Sequence, residues 1–230
     1  MNDLDRTFDQ IGSKEVWIAQ CGEGAWEKRQ CTLQLCFSPD PTGPQPRAAL
    51  IFRGQGLRIS DYERAAWHPE VDVSFNEKAW ANDAWCLEHI PKQLAGVVPG
   101  RKGAEALLIC DNLSGQCSHE FRQVMKKKLN VLVWNLQPGT TDITQPVDAG
   151  YGRAVKRLIG VKLAQWLENE DNLEKWESGK ITASERRILL THWVWYFCCF
   201  FLHVSAFDLI FLRFPAIFLF ISSFLRLRCL

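Results

Sequence analysis

The stretch ALLICDNLSGQ, residues 106–116, decides the fold that this sequence predicts. Five small or apolar residues run directly into Asp111 and Asn112, and a loop follows. An uninterrupted apolar run is typical of a strand buried on both faces of a sheet. Its terminal carboxylate would lie at the carboxyl edge of that sheet, where ligands collect in open α/β folds. A purely structural role is equally open, because Asp111 can also cap the turn that follows.

Outward from this strand, the pattern predicts strands first and then strands mixed with helices. Period-two alternation and β-branched or aromatic residues predict strands at residues 15–20, 30–38, 47–54, 71–76 and 131–136. Helical spacing of apolar residues predicts helices at residues 79–98, 118–129 and, more loosely, 145–177. Hairpins followed by alternating helices and strands indicate an α/β fold, with a mixed sheet flanked by helices.

Composition and cysteine usage narrow the class of protein only slightly. The chain has 230 residues and a net charge of +1, so its overall charge favours no class of partner. None of the nine cysteines has the two-residue spacing of a zinc knuckle or redox motif. Several lie in apolar strand-like runs, which is typical of reduced, buried thiols. The amino terminus, MNDLDRTFDQ, is polar and acidic and does not read as a secretory signal.

A second carboxylate, Asp148, lies in PGTTDITQPVDAGYGRAVKRLIG, residues 138–160. It follows Pro146 and precedes a helix-like run, so it is predicted in the first turn of a helix. The helix dipole favours an anion there by about 0.3–1 kcal/mol, which is a structural explanation. The functional alternative is that Asp111 and Asp148 face each other and share magnesium, which binds through one or two carboxylates plus water and phosphate oxygens. Two such ions can stabilise the oxygens of a displacement at phosphorus.

Five stretches together resemble the DDE superfamily endonuclease domain of pogo-like and mariner-like transposases. They are KRQCTLQLCF (28–37), ALIFRGQGLRIS (49–60), KAWAND (78–83), LLICDNLSGQ (107–116) and the segment 138–160 that contains Asp148. The resemblance spans about residues 10–193. Its specific part is the pair of motifs DN and QPxD, with 36 residues between Asp111 and Asp148.

This resemblance implies a ribonuclease H-like fold, a five-stranded mixed sheet with helices on both faces. In that fold three carboxylates bind two magnesium ions for DNA strand cleavage and strand transfer. By motif, Asp111 takes the role of the second acid and Asp148 that of the third, so both are the expected catalytic and metal-binding residues. DNA as the partner and a location in the nucleus follow from the same resemblance.

The family's first acid is the feature that this sequence does not supply. It lies in an Asn-x-Asp-Gln motif on the first, central strand, whereas Asp9–Gln10 repeats only the Asp-Gln pair in a stretch that is not β-like. We therefore expect a sheet that lacks its first strand, with unpaired edges that residues 15–20 could fill. We also expect little or no DNA cleavage. The alternative is an active magnesium-dependent nuclease in which Asp5 or Asp9 replaces the first acid.

Basic residues are the candidates for nucleic-acid contacts. The main ones are Lys28, Arg29, Arg153, Lys156 and Arg157, and the remaining ones are Arg53, Arg58 and Lys126, Lys127 and Lys128. Arg153 and Lys156 are one helical turn apart after Asp148, so they can contact phosphates beside the acids. Ordinary solvated charges explain the same residues equally well. No helix-turn-helix stretch supports sequence-specific recognition, so the binding that we expect is non-specific and sensitive to salt.

Composition changes sharply near residue 190. Residues 188–207 contain no Asp, Glu, Lys or Arg, and this length of 20 residues suffices to cross a bilayer core. The organisation predicted is a linker at 1–14, an endonuclease-like domain at 15–190 and a hydrophobic helical tail at 191–230. Because the resemblance also ends near Trp193, we favour translation of an intron or shifted frame as the origin of the tail. The alternative is a membrane-anchored interaction module held through residues 188–225.

Overall fold

The computed structural model describes residues 30–38, 44–98, 106–137, 152–203 and 218–228. Within these ranges the chain forms a mixed α/β fold with six strands and seven helices. The strands are β1 (Gln30–Phe37), β2 (Ala48–Arg53), β3 (Val71–Asn76), β4 (Ala106–Cys110), β5 (Val131–Asn135) and β6 (Phe218–Arg228). The helices are α1 (Asp61–Ala66), α2 (Asp83–Ala95), α3 (Ser114–Cys117), α4 (His119–Leu129), α5 (Gly152–Leu167), α6 (Glu170–Glu177) and α7 (Ala183–His203).

All six strands belong to one mixed sheet, in the order β3-β2-β1-β6-β4-β5. β1 runs antiparallel to β2 and to β6. The pairs β2–β3, β4–β5 and β4–β6 are parallel. The mixed α/β class predicted from the sequence is therefore confirmed.

The position of β6 overturns two predictions, one about a gap in the sheet and one about the tail. Its residues pair with all of β1, from Gln30 with Arg228 to Phe37 with Ile221, and with all of β4. The predicted gap with unpaired edges between these strands is therefore wrong, and so is a helical conformation for residues 218–228. The physical reason is that β1 and β4 offer two rows of backbone partners to an apolar segment whose local pattern suits either helix or strand. The strand predicted at 15–20 lies outside the described residues.

The sheet buries a different hydrophobic cluster on each face. Successive side chains of a strand point to opposite faces, so Leu33 and Leu35 of β1 join one cluster while Cys36 joins the other. Helices α5 and α7 cover the face of Leu33, which we call the first face. Helices α2 and α4 cover the face of Cys36, which we call the second face.

Helix α7 belongs to the core on both sides of residue 190. Val194 and Phe197 are completely or almost completely buried on the first face, beyond the predicted domain boundary. Thr182 and Glu185 form a capping box at the start of the helix, since each side chain accepts a backbone N–H of the other residue. None of the described helices is long and apolar enough to span a bilayer, so the membrane helix that was the alternative for residues 188–225 is not found among them.

Local signals set the ends of several helices. Ser118 caps α4 by accepting the N–H of Phe121, and Asn130 ends the helix in the left-handed conformation that asparagine tolerates. The predicted helix at 79–98 begins later, at Asp83, because Ala79 has a positive φ of 56° and Asn82 provides the cap.

The burial of the thiols leads to a testable prediction. Four cysteines are buried: Cys31, Cys36, Cys86 and Cys110. The pKa of the Cys86 thiol is raised to about 12, mainly by burial and further by the charges of Asp111 and Asp83. Because the thiolate is the reactive form, we expect these four cysteines to resist a disulfide reagent at mildly alkaline pH. Mass spectrometry of the labelled native protein measures this, with guanidinium-unfolded protein as the fully labelled control. Rapid native labelling at all four positions would contradict the fold.

Candidate active site at the carboxyl edge of the sheet

Asp111 directly follows β4, so it lies at the carboxyl edge of the sheet, as the sequence predicted. The residue is half-buried, and its Oδ1 accepts the backbone N–H of Leu113 at 3.2 Å. This bond shapes the turn into α3, so the structural role open to Asp111 is present. It leaves the carboxylate at an edge where the parallel strands β4 and β5 end together, beside β6, which continues to Arg228.

A polar network that sequence reasoning missed holds the backbone of Asp111. Asn135, the last residue of β5, donates from Nδ2 to the carbonyl oxygen of Asp111 at 3.1 Å. Arg122 of α4 donates from Nη2 to Oδ1 of Asn135 at 2.6 Å. The sequence contained one indication of this network. Asn135, like Asp111, is a polar residue at the end of an apolar strand, and parallel strands end at a shared edge.

The negative charge of Asp111 affects the pKa of three nearby thiols. Burial is the main cause that raises the pKa of Cys86, Cys110 and Cys117, and the negative charge of Asp111 raises all three further. The guanidinium of Arg122 partly offsets these effects at Cys117. Neutral thiols are poor metal ligands, because a coordinating thiol must lose its proton.

The described residues do not by themselves form a magnesium site. They place the carboxylate of Asp111 at this edge, and no group of three or more His, Cys, Asp or Glu side chains among them is arranged to hold a metal ion. Asp148 lies outside the described residues, so the predicted meeting of Asp111 and Asp148 stays a prediction. Asp5 and Asp9 lie outside them as well.

The strand beside Asp111 brings no acid to the site. Cys110 of β4 pairs with Ser222 of the parallel strand β6. Asp111 is therefore level with Ser223, the next residue of β6. The whole of β6, FLFISSFLRLR, contains no Asp or Glu. At the level of Asp111, the strand that lies between β1 and β4 therefore has Ser223 rather than an acid.

The described basic residues of α5 and α4 lie on opposite faces of the sheet. Arg153 and Arg157 are exposed on α5, which covers the first face, and Lys156 is half-buried on the same helix. The three lysines of α4, Lys126–Lys128, are exposed on the helix that covers the second face. Lys28 and Arg29 lie outside the described residues.

Comparison with known proteins identifies the family. The family described as DDE superfamily endonuclease matches residues 28–193, which is well over half of the 230 residues. The match agrees with the pogo-like and mariner-like resemblance, and endonucleases of this superfamily act on DNA and generally use a divalent metal such as magnesium. No curated protein and no solved structure matches the chain. A match of this extent, over strands β1 to β5 and most of the helices, means that the chain belongs to the DDE superfamily endonucleases.

Proposed function

We propose that this chain is a transposase-type domain that binds DNA without sequence preference and whose catalytic edge is incomplete. The observation that carries the proposal is the position of Asp111 at the carboxyl end of β4, in a chain of this family. The sheet order supports a ribonuclease H-like arrangement, because a central strand runs antiparallel to β1 and parallel to β4. Location in the nucleus belongs to the same proposal.

Asp111 and Asp148 are the proposed magnesium ligands. Magnesium bound there would stabilise the oxygens of a displacement at phosphorus. Two acids in place of the family's three hold a metal pair poorly, and β6 contains no Asp or Glu that could add a carboxylate beside Asp111. Strand cleavage in this form of the chain is therefore weak or absent.

The DNA contacts in this proposal come from Arg153, Lys156 and Arg157, with Lys28 and Arg29. Arg153 and Arg157 are exposed and four residues apart, so they lie on the same side of α5. Contacts of this kind bind phosphates and carry no sequence information. Affinity should therefore fall as salt concentration rises, because bound phosphates release their counterions.

Two measurements on the full chain test the proposal. Duplex DNA of unrelated sequences should bind equally well, and Arg153→Gln combined with Arg157→Gln should reduce the slope of log affinity against log salt by about 1.8, or 0.9 for each lost phosphate contact. Lys180→Gln, at an exposed residue outside the basic set, is the matched control and should leave the slope unchanged. Absence of DNA binding at low salt would overturn the binding role.

The second measurement is nicking of supercoiled plasmid with magnesium. We expect the unmodified chain to nick no faster than Asp111→Asn, because the acid set is incomplete. Magnesium-dependent nicking that disappears in Asp111→Asn would instead show an active nuclease. That result would direct attention to Asp5 and Asp9, whose replacement by Asn should then abolish the activity.

A further inference from the structure

A shallow groove of about 260 Å³ lies between α4 and β5. One wall is a stripe of α4 that carries His119, Arg122 and Lys126, whose spacing of three and four residues places them on one side of the helix. The floor is the stretch Val131–Val133 of β5. The groove therefore combines a basic wall with an apolar strand.

The backbone of β5 offers hydrogen-bonding groups towards this groove. Ala106 donates its N–H to the carbonyl of Asn130 at 3.3 Å, and Leu136 donates its N–H to the carbonyl of Cys110 at 2.9 Å. Even-numbered residues of this segment thus direct their backbone groups towards β4. Since these directions alternate along a strand, Val131 and Val133 direct theirs away from β4, and no described strand pairs with that edge.

The side chains on the two sides of this edge differ in character. On the second face, the helix beside Val131 and Val133 carries Arg122 and Lys126, followed by two more lysines, and its one acid is Glu120. On the first face, Leu132 is 45% exposed and Trp134 is 65% exposed. A strand added to β5 would therefore meet cations on one side and apolar surface on the other.

We propose that this edge binds an extended acidic peptide of a partner protein, which pairs with β5 as a further strand. Its acidic side chains would face the wall formed by Arg122 and Lys126. Its alternate, apolar side chains would cover Leu132 and Trp134, because side chains of a strand alternate between faces. This is strand addition to an exposed sheet edge, and it goes beyond the proposed DNA binding because neither Asp111 nor metal takes part.

A peptide fits these features better than a nucleic acid strand does. The outward N–H and C=O groups of Val131 and Val133 have the spacing that pairs with another polypeptide strand, and a sugar-phosphate backbone has no N–H to donate to their carbonyls. Apolar area at Leu132 and Trp134 also suits apolar side chains rather than phosphates. The cations of α4 then select acidic peptides over basic ones.

The test is a fluorescence anisotropy titration of the full chain, without metal or DNA. The probe is a short labelled synthetic peptide in which glutamate alternates with valine. Lys126→Gln should weaken binding about fivefold, the value of one exposed charge pair. Lys127→Gln, on the same helix but outside the groove lining, should change it less than twofold.

A second pair of variants tests the backbone pairing. Val133→Pro removes one outward N–H at a sheet edge, a position where proline is tolerated, and should weaken peptide binding about tenfold through the lost hydrogen bond. Val133→Thr keeps the N–H and should bind normally. Far-ultraviolet circular dichroism and urea unfolding confirm that both variants remain folded.

Three results would overturn the proposal. One is equal binding of a peptide in which lysine alternates with valine. Another is unchanged binding by Val133→Pro in its folded state. The third is a protein that does not bind the acidic peptide but binds an oligothymidylate, with the oligothymidylate affinity reduced by Lys126→Gln. This result would assign the groove to nucleic acid. The assay contains no metal, plasmid or duplex, so a failure to bind the peptide would not contradict the proposed DNA binding. A failure to bind DNA would likewise not contradict the peptide site.

Discussion

A chain that ends at residue 217, and therefore lacks β6, is expected to lose cooperative unfolding entirely. β6 pairs along its length with β1 and with β4, and it is the strand that joins them in the described sheet. Its removal leaves two central strands with unpaired N–H and C=O groups and takes buried Leu227 from the core of the first face. Folded domains are stable by only about 5–15 kcal/mol, which the loss of a central strand should exceed.

Urea unfolding followed by circular dichroism measures this effect. A chain that ends at residue 228 retains β6 and is the matched control. We expect it to be as stable as the full chain. Within the full chain, Ser222→Pro should also be strongly destabilising, because Ser222 pairs on both sides and proline is not accommodated in a central strand. Ser222→Thr should be tolerated. If the shorter chain unfolded with the same midpoint as the full chain, the central position of β6 would be wrong.

The replacement Glu63→Ala is expected to destabilise the protein by about 3–5 kcal/mol, the usual effect of breaking a buried ion pair. The side chain of Glu63 is 3% exposed, and Arg187 of α7 donates to both of its oxygens, at 2.6 and 2.9 Å. Loss of the carboxylate leaves the guanidinium without these bonds between α1 and α7. Urea unfolding at neutral pH provides the measurement.

The chain offers a matched control for this ion pair. Glu88 and Lys92 form a pair at 2.9 Å in which both side chains are more than half exposed, so Glu88→Ala should cost less than about 1 kcal/mol. Replacement of both Glu63 and Arg187 by leucine should cost less than Glu63→Ala, since no buried charge remains unpaired. Equal losses for Glu63→Ala and Glu88→Ala would contradict the role assigned to the buried pair.

The same pair predicts a dependence on pH. Burial acts to raise the pKa of Glu63, but the hydrogen bonds from Arg187 and Ser184 and the charge of Arg187 outweigh it, so the pKa is lower than that of an ordinary glutamate. The folded state therefore binds this proton less readily than the unfolded state does. The contribution is complete above the ordinary glutamate pKa and is lost as pH falls through the lower folded value. Urea midpoints across acidic pH should fall less steeply in Glu63→Ala than in the unmodified protein.

The sequence by itself determined the elements whose pattern and punctuation are local. β3 has the predicted bounds, and β1, β2, β4 and β5 lie within a residue or two of theirs. Between turn residues, their apolar residues either alternate with polar ones or form a continuous run. Alternation indicates burial on one face of a sheet, and a continuous run indicates burial on both faces. The position of Asp111 at a strand end was predictable for the same reason, as was helix α4, which was predicted at 118–129.

Only the tertiary structure decided the partners of those elements. The role of β6 depends on two strands that are distant in sequence, and an apolar segment of its length has the same local pattern whether it becomes a core strand or part of a membrane helix. The contact from Arg122 through Asn135 to Asp111 likewise exists only because the ends of β4 and β5 meet beside α4. Hydrophobic periodicity records how a segment is buried, whereas strand order and polar contacts arise from backbone and side-chain groups that meet only after the chain has folded.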